Sequence, residues 1–286
     1  MDVEVVRLYD YYHMETPKGG RAELTCLYQN VPEEMGLNRM RPAVLIIPGG
    51  GYRFVSDREA EPVALRWMAR GYAAFILRYS VEPLAFPTQL REAALAMRFI
   101  RENCIRFEVD PHMVAAVGFS AGGHLCGMLG TMYDCKEIED VGSPRDICPN
   151  ALGLCYPVAL TWGETHSDTV KIISGGDETL KKRLSLDTLV RPDMPPVYLW
   201  HVRDDAIVPC RNSLILAQTL DVVGVGYSLH IHNNGGHGIA TADSGSYPTY
   251  ELPQCSLEIV EWEGRMISFF EEVGFHITDT CKVSAQ

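Results

Sequence analysis

The sequence predicts an α/β fold, a mostly parallel central sheet flanked by helices, on the strength of three observations. Short apolar runs bounded by turn residues alternate with longer stretches of helical periodicity, the pattern of strands joined by crossover helices. One such run, Ala43 to Ile47, leads straight into Pro48 and three glycines, as a buried strand ending in a site-bearing loop would. Another, Met113 to Phe119, is uncharged and flanked by Pro111 and Gly118, which suits a central strand buried on both faces.

Taken in order, Glu4 to Leu8 and Ala22 to Tyr28 read as partly buried strands ahead of Ala43 to Ile47. Glu59 to Ala69 has Val63, Leu65, Trp67 and Met68 at helical spacing, and Ala73 to Leu77 is the next strand. Thr88 to Glu102 is amphipathic, with Leu90, Ala93, Leu95, Met97 and Ile100 on its apolar side. Pro87 stands at its start, where a missing N–H costs nothing. After the Met113 strand comes a helix over Ala121 to Met132. Asp134 to Asn150, with mixed charge, Gly142, Pro144 and Pro149, reads as a surface loop before a strand over Ala151 to Tyr156. From Pro157 to Pro196 the pattern supports only a weak helix near Glu178 to Leu186, so 157–196 is expected to be an irregular insertion or small lid. Regularity returns with a strand over Val197 to His201, a helix over Arg211 to Val223, a strand over Tyr227 to Ile231 and a closing helix over Ser256 to Glu272. No repeat, low-complexity tract or linker interrupts the chain, and one domain over 1–286 is expected.

Composition narrows the function classes. With 47% hydrophobic and 22% charged residues the chain is ordinary globular protein, leaving little room for disorder. A formal net charge of -12 argues against nucleic acid or an anionic membrane as partner, and favours neutral substrates. The nine cysteines are odd in number and scattered without a CxxC pair, which points to buried thiols in a reducing compartment and away from zinc or redox chemistry. Asp2 and Glu4 stand where a signal peptide needs positive charge, and no uncharged run reaches membrane-spanning length, so a cytoplasmic protein is expected.

The segment Gly118-Phe119-Ser120-Ala121-Gly122 matches G-x-S-x-G, and its context adds weight: the serine directly follows an apolar strand and directly precedes a helix. Such a turn thrusts the hydroxyl outward as a nucleophile, while small flanking residues avoid collision with neighbouring backbone. Attack on an ester would create an oxyanion, for which fixed N–H donors are needed. Ala121, after the serine, supplies one; Gly50 and Gly51 in the loop Pro48-Gly49-Gly50-Gly51-Tyr52 are the candidates for the others. The glycine run lacks the GK[ST] of a phosphate loop and does not complete G-x-G-x-x-G.

In a fold with such a strand-turn-helix nucleophile, the general base follows the serine in the chain, in a late loop. His13 and His112 come too early, and His124, one turn past Ser120, reads as a packed histidine. His166 precedes any good acid, and His201, His230 and His232 lie on strands; His276 is in the closing tail. His237 remains, between glycines in Asn233 to Gly238. The acid that orients it lies in the loop after the Val197 strand, where Asp204 and Asp205 are equally well placed by spacing.

Together PGGGY at Pro48 to Tyr52, GFSAGGH at Gly118 to His124, DDAIVP at Asp204 to Pro209 and GGHG at Gly235 to Gly238 make the chain resemble the α/β-hydrolase esterases close to bacterial acetyl-xylan esterases and hormone-sensitive-lipase-like carboxylesterases. The resemblance covers nearly the whole chain. It implies Asp205 as the acid, four positions before the proline of D-x-x-V-P, along with an eight-stranded sheet, no metal and no cofactor. Pro48 replaces the histidine of the lipase-type HGGG, which leans toward the sugar-ester branch. The implied function is a serine esterase acting on short acyl esters, acetyl groups on sugars or xylan-derived oligosaccharides foremost. A broad carboxylesterase or exopeptidase is the alternative within enzymes, and a non-catalytic ligand-binding hydrolase fold the alternative outside them.

Overall fold

The computed structural model describes residues 1–255 and 257–281. Its strands are β1 (Asp2–Arg7), β2 (Glu23–Tyr28), β3 (Leu37–Ile47), β4 (Ala73–Arg78), β5 (Val109–Phe119), β6 (Ala151–Cys155), β7 (Val197–Val202), β8 (Tyr227–His232) and β9 (Thr278–Cys281). They form one sheet in the order β1-β2-β4-β3-β5-β6-β7-β8, with β9 alongside β3. The pairs β1/β2 and β2/β4 are antiparallel; from β4 through β8 every neighbour is parallel. The carboxyl ends of β3, β5, β7 and β8 therefore emerge at the same edge.

Side-chain alternation along the strands builds a core on each face. Ala43, Leu45 and Ile47 of β3 pack on one face with Leu90, Ala93 and Met97. Val44 and Ile46 pack on the other with Trp67, Trp262 and Phe270. The helices that cover these faces are α1 (Leu8–Tyr11), α2 (Glu61–Ala69), α3 (Thr88–Glu102), α4 (Ala121–Thr131), α5 (Pro144–Ile147), α6 (Ser167–Ile173), α7 (Glu178–Arg183), α8 (Leu186–Leu189), α9 (Arg211–Val223), α10 (Leu257–Val260) and α11 (Trp262–Glu272).

The structure departs from the sequence reading in several places. Asp57–Glu59 is a separate 3-10 turn, so α2 begins only at Glu61. The Asp134 to Asn150 loop contains α5, at whose start Asp146 accepts from the Ser143 N–H at 3.1 Å. Strand β5 starts four residues before Met113 and takes in Pro111, with a register shift against β3 between Arg41 and Ala43. The helix expected near Glu178 to Leu186 splits at Leu184, whose side chain is buried and whose carbonyl is held by the His124 ring at 2.7 Å. The closing helix is two pieces, α10 and α11; Ser256, its expected first residue, lies outside the described residues. Within 157–196 the chain folds as α6, α7 and α8, tied to the body by hydrogen bonds from Val158 N–H to Ser120 O and from Phe86 N–H to Ile173 O.

Candidate active site

Ser120 sits between β5 and α4 with φ 53° and ψ −116°, a conformation that costs a non-glycine residue about 1–3 kcal/mol and must be imposed by its surroundings. Its N–H donates to Cys155 O at 2.9 Å, and its carbonyl accepts from His124 and Val158, each at 3.1 Å. The flanking glycines let the backbones close in. A Cβ on Gly118 would stand 2.2 Å from Gly122 O, and one on Gly122 would stand 2.1 Å from Ile47 O.

The Ser120 Oγ lies 2.8 Å from His237 Nε2, and His237 Nδ1 lies 2.6 Å from Asp205 Oδ2. A carboxylate can only accept, so Nδ1 carries the proton and Nε2 offers its lone pair to the hydroxyl. Asp205 is wholly buried and its Oδ1 accepts from the N–H groups of Ile207 and Val208, each at 2.9 Å. His201 completes the cage: its Nε2 donates to Val208 O at 2.8 Å and lies 3.3 Å from Asp205 Oδ2, while Nδ1 accepts from the Ser213 hydroxyl at 2.7 Å. Burial alone would raise the Asp205 pKa, but the hydrogen bonds from His201 and His237 outweigh it and hold the carboxyl well below the usual range. Asp204 has a different task. Its Oδ1 accepts from the N–H groups of Gly235 and Gly236, both at 3.0 Å, and so fixes the loop that carries His237.

The glycine loop runs beside the serine. Gly50 has φ 121° and Gly51 φ 64°, values that favour glycine, and a Cβ on Gly50 would meet Phe54 O at 2.1 Å. The Gly49 N–H is taken by Glu59 Oε2 at 2.7 Å. Among the described residues the N–H groups of Gly50, Gly51 and Ala121 donate to no protein acceptor, which leaves all three available to a ligand.

Three further residues belong to the site and escape the sequence reading. Glu59 is buried, its pKa raised by that burial, and its Oε1 accepts from the Tyr156 hydroxyl at 2.7 Å. The same hydroxyl accepts from Ala240 N–H at 3.0 Å, and the Tyr156 ring stands edge-on to His237 at 5.1 Å. Glu59 and Tyr156 thus tie the glycine loop to the histidine loop. No periodicity marks a carboxyl that turns inward from a 3-10 turn. His166, set aside for its early position, lines the same cleft, an open space of about 240 Å³ bounded by Gly50, Gly51, Phe54, Ser120, Ile207 and His237. His124 does pack as expected, between the Tyr52 hydroxyl at 3.0 Å and Leu184 O, and burial lowers its pKa to about 4.

A family model described as BD-FAE matches residues 31–148, the segment holding the glycine loop and Ser120. The chain is 31% identical over 228 residues to endo-1,4-beta-xylanase B of Butyrivibrio fibrisolvens, covering 76% of this chain and 35% of that protein. It is 28% identical to the acetylxylan esterase of Xylanibacter ruminicola, covering 77% and 44%. The chain spans less than half the length of either. The crystal structure of an acetyl ester-xyloside bifunctional hydrolase from Caldicellulosiruptor lactoaceticus superposes with a TM-score of 0.81 at 30% identity, covering 95% of this chain and 97% of that one. The chain belongs to the α/β hydrolases.

That membership accounts for the architecture. In α/β hydrolases the parallel strands deliver their loops to one edge, and here β1 to β8 form that sheet, with β9 added beside the start of β3. A carboxylesterase from Lactobacillus plantarum shares the fold with a TM-score of 0.82 at 23% identity. Among the described residues no helix of this α/β hydrolase is long and apolar enough to cross a membrane.

Proposed function

We propose that the chain is a serine esterase that removes short acyl groups, acetyl foremost, from sugars or xylan-derived oligosaccharides. The observation that carries the proposal is the unbroken hydrogen-bonded chain from the Ser120 hydroxyl through His237 to the buried Asp205 carboxylate. Ser120 Oγ attacks the ester carbonyl while His237 Nε2 takes its proton; Asp205 keeps the ring oriented and stabilises the imidazolium. The oxyanion rests on the N–H groups of Gly50, Gly51 and Ala121. When the carbon–oxygen bond to the alcohol breaks, His237 returns the proton to the leaving alkoxide, and the acyl group stays on Ser120. Water then repeats the sequence, with His237 as base, and releases the carboxylic acid.

Size supports a short acyl group: the cleft, at about 240 Å³, falls below the roughly 300–1,000 Å³ typical of sites for drug-sized ligands. Likeness to a xylanase, to an acetylxylan esterase and to the acetyl ester-xyloside hydrolase of C. lactoaceticus supports the sugar acceptor. We read 1–286 as one domain and the location as cytoplasmic, the latter because eight cysteines with described side chains are free thiols.

The test is acetate release from acetylated xylo-oligosaccharides, set against longer p-nitrophenyl esters and peptide amides. Acetylated sugars are expected to be the best substrates, and Ser120→Ala is expected to lower kcat by about a thousandfold or more. Preference for long acyl chains or amides would overturn the substrate assignment, and full activity in Ser120→Ala would overturn the nucleophile.

A further inference from the structure

His166 has no part in the steps above, yet it faces the cleft beside the reacting serine. It is the N-cap of α6, where its Nδ1 accepts from the Thr169 N–H at 3.4 Å and from the Thr169 hydroxyl at 2.7 Å. With Nδ1 used as an acceptor, a neutral ring must carry its proton on Nε2. Burial lowers the ring's pKa from the usual histidine value, which favours that neutral form. Nε2 has no protein partner among the described residues. The ring stands over the glycine loop: a Cβ built on Gly51 would lie 3.9 Å from His166 Cε1, the atom bonded to Nε2.

We propose that His166 is a specificity-determining residue whose Nε2–H binds a hydroxyl of the acyl acceptor adjacent to the scissile ester. The inference rests on the esterase reading and narrows its substrate to monoesters of vicinal diols, the arrangement of a partly acetylated sugar. The acetyl methyl accepts nothing, and its carbonyl oxygen already faces three unpaired backbone donors. An uncharged donor beside Gly51 therefore has the alcohol portion left to meet, and a hydroxyl oxygen is the acceptor that portion of a sugar ester supplies. A site built to bond a hydroxyl discriminates against the analogue that lacks it.

The test compares trans-1,2-cyclohexanediol monoacetate with cyclohexyl acetate, which differ only in the neighbouring hydroxyl. The quantity read is the ratio of their kcat/KM values in the wild type and in three variants. His166→Ser keeps an N-cap acceptor for α6 but withdraws the donor from the cleft, His166→Phe removes both, and His166→Asn keeps the cap and an N–H donor. The ratio is expected to fall roughly five- to tenfold in His166→Ser and His166→Phe, and to recover in part in His166→Asn. A ratio unchanged in His166→Ser, including an equal loss on both esters, overturns the proposal and leaves the esterase reading standing. A wild type that cleaves neither these esters nor p-nitrophenyl acetate removes both.

Discussion

At the scale of single residues, two adjacent aspartates divide the work. Asp205 touches His237, whereas Asp204 holds the backbone on which His237 rides. Asp205→Asn is expected to lower kcat by about 10³–10⁴ while the fold survives, because an amide no longer fixes the tautomer or stabilises the imidazolium. Asp204→Ala is expected to cost at most about a hundredfold, through misplacement of the ring; steady-state kinetics on p-nitrophenyl acetate separates the two. The depressed pKa of Asp205 also sets a pH dependence. Because its folded value lies below its unfolded one, its stabilising contribution is present above about pH 4 and is lost as pH falls through the folded value. The Tm difference between wild type and Asp205→Asn is therefore expected to shrink in thermal scans below about pH 4. Spacing does not separate these aspartates, since nothing local says which carboxylate turns toward the Ile207 and Val208 amides; only the D-x-x-V-P resemblance points to Asp205.

At the scale of elements, the β5–α4 elbow depends on backbones too close for any side chain. Gly122→Ala would place a methyl 2.1 Å from Ile47 O, which is main chain and cannot swing aside. It is expected to cost about 3 kcal/mol or more, or to yield insoluble protein. Gly264→Ala in α11, with open space around it, is expected to be neutral or to stabilise by up to about 1 kcal/mol; urea unfolding of the two variants checks the contrast. The elbow was legible because a two-sided apolar strand, a G-x-S-x-G turn and a helix agree at one place. Helix α3, Thr88–Glu102, was legible to the residue, its amphipathic spacing being long. The pieces of 157–196 were not. Helices α6, α7 and α8 are too short to declare a period, and the break between α7 and α8 is held by a distant partner, the His124 ring at 2.7 Å from Leu184 O. Strand β9 is a four-residue, largely polar segment whose pairing depends on the extension of β3 at Leu37 to Met40.

At the scale of the whole molecule, the sheet is insulated by a core on each face, and a buried polar group there must be matched or it destabilises. Glu263 is such a group: it is almost fully buried between α2 and α11, and its Oε2 lacks a hydrogen-bond partner. Burial pushes its pKa from 4.5 up to about 7, against the pull of Arg66 and Arg70. A raised folded pKa means that stability is undiminished below the unfolded value and declines as pH rises through the folded one. Glu263→Gln is accordingly expected to match wild type in Tm near pH 4.5 and to exceed it by several degrees at pH 8, where the ionised carboxyl costs up to about 3 kcal/mol. Activation of the Ser120 nucleophile by His237 is tested most directly by a serine-reactive fluorophosphonate read by intact mass and peptide mapping. One equivalent is expected on Ser120, absent in Ser120→Ala and slowed at least a hundredfold in His237→Asn. Ester hydrolysis that persists while Ser120 stays unlabelled would contradict it.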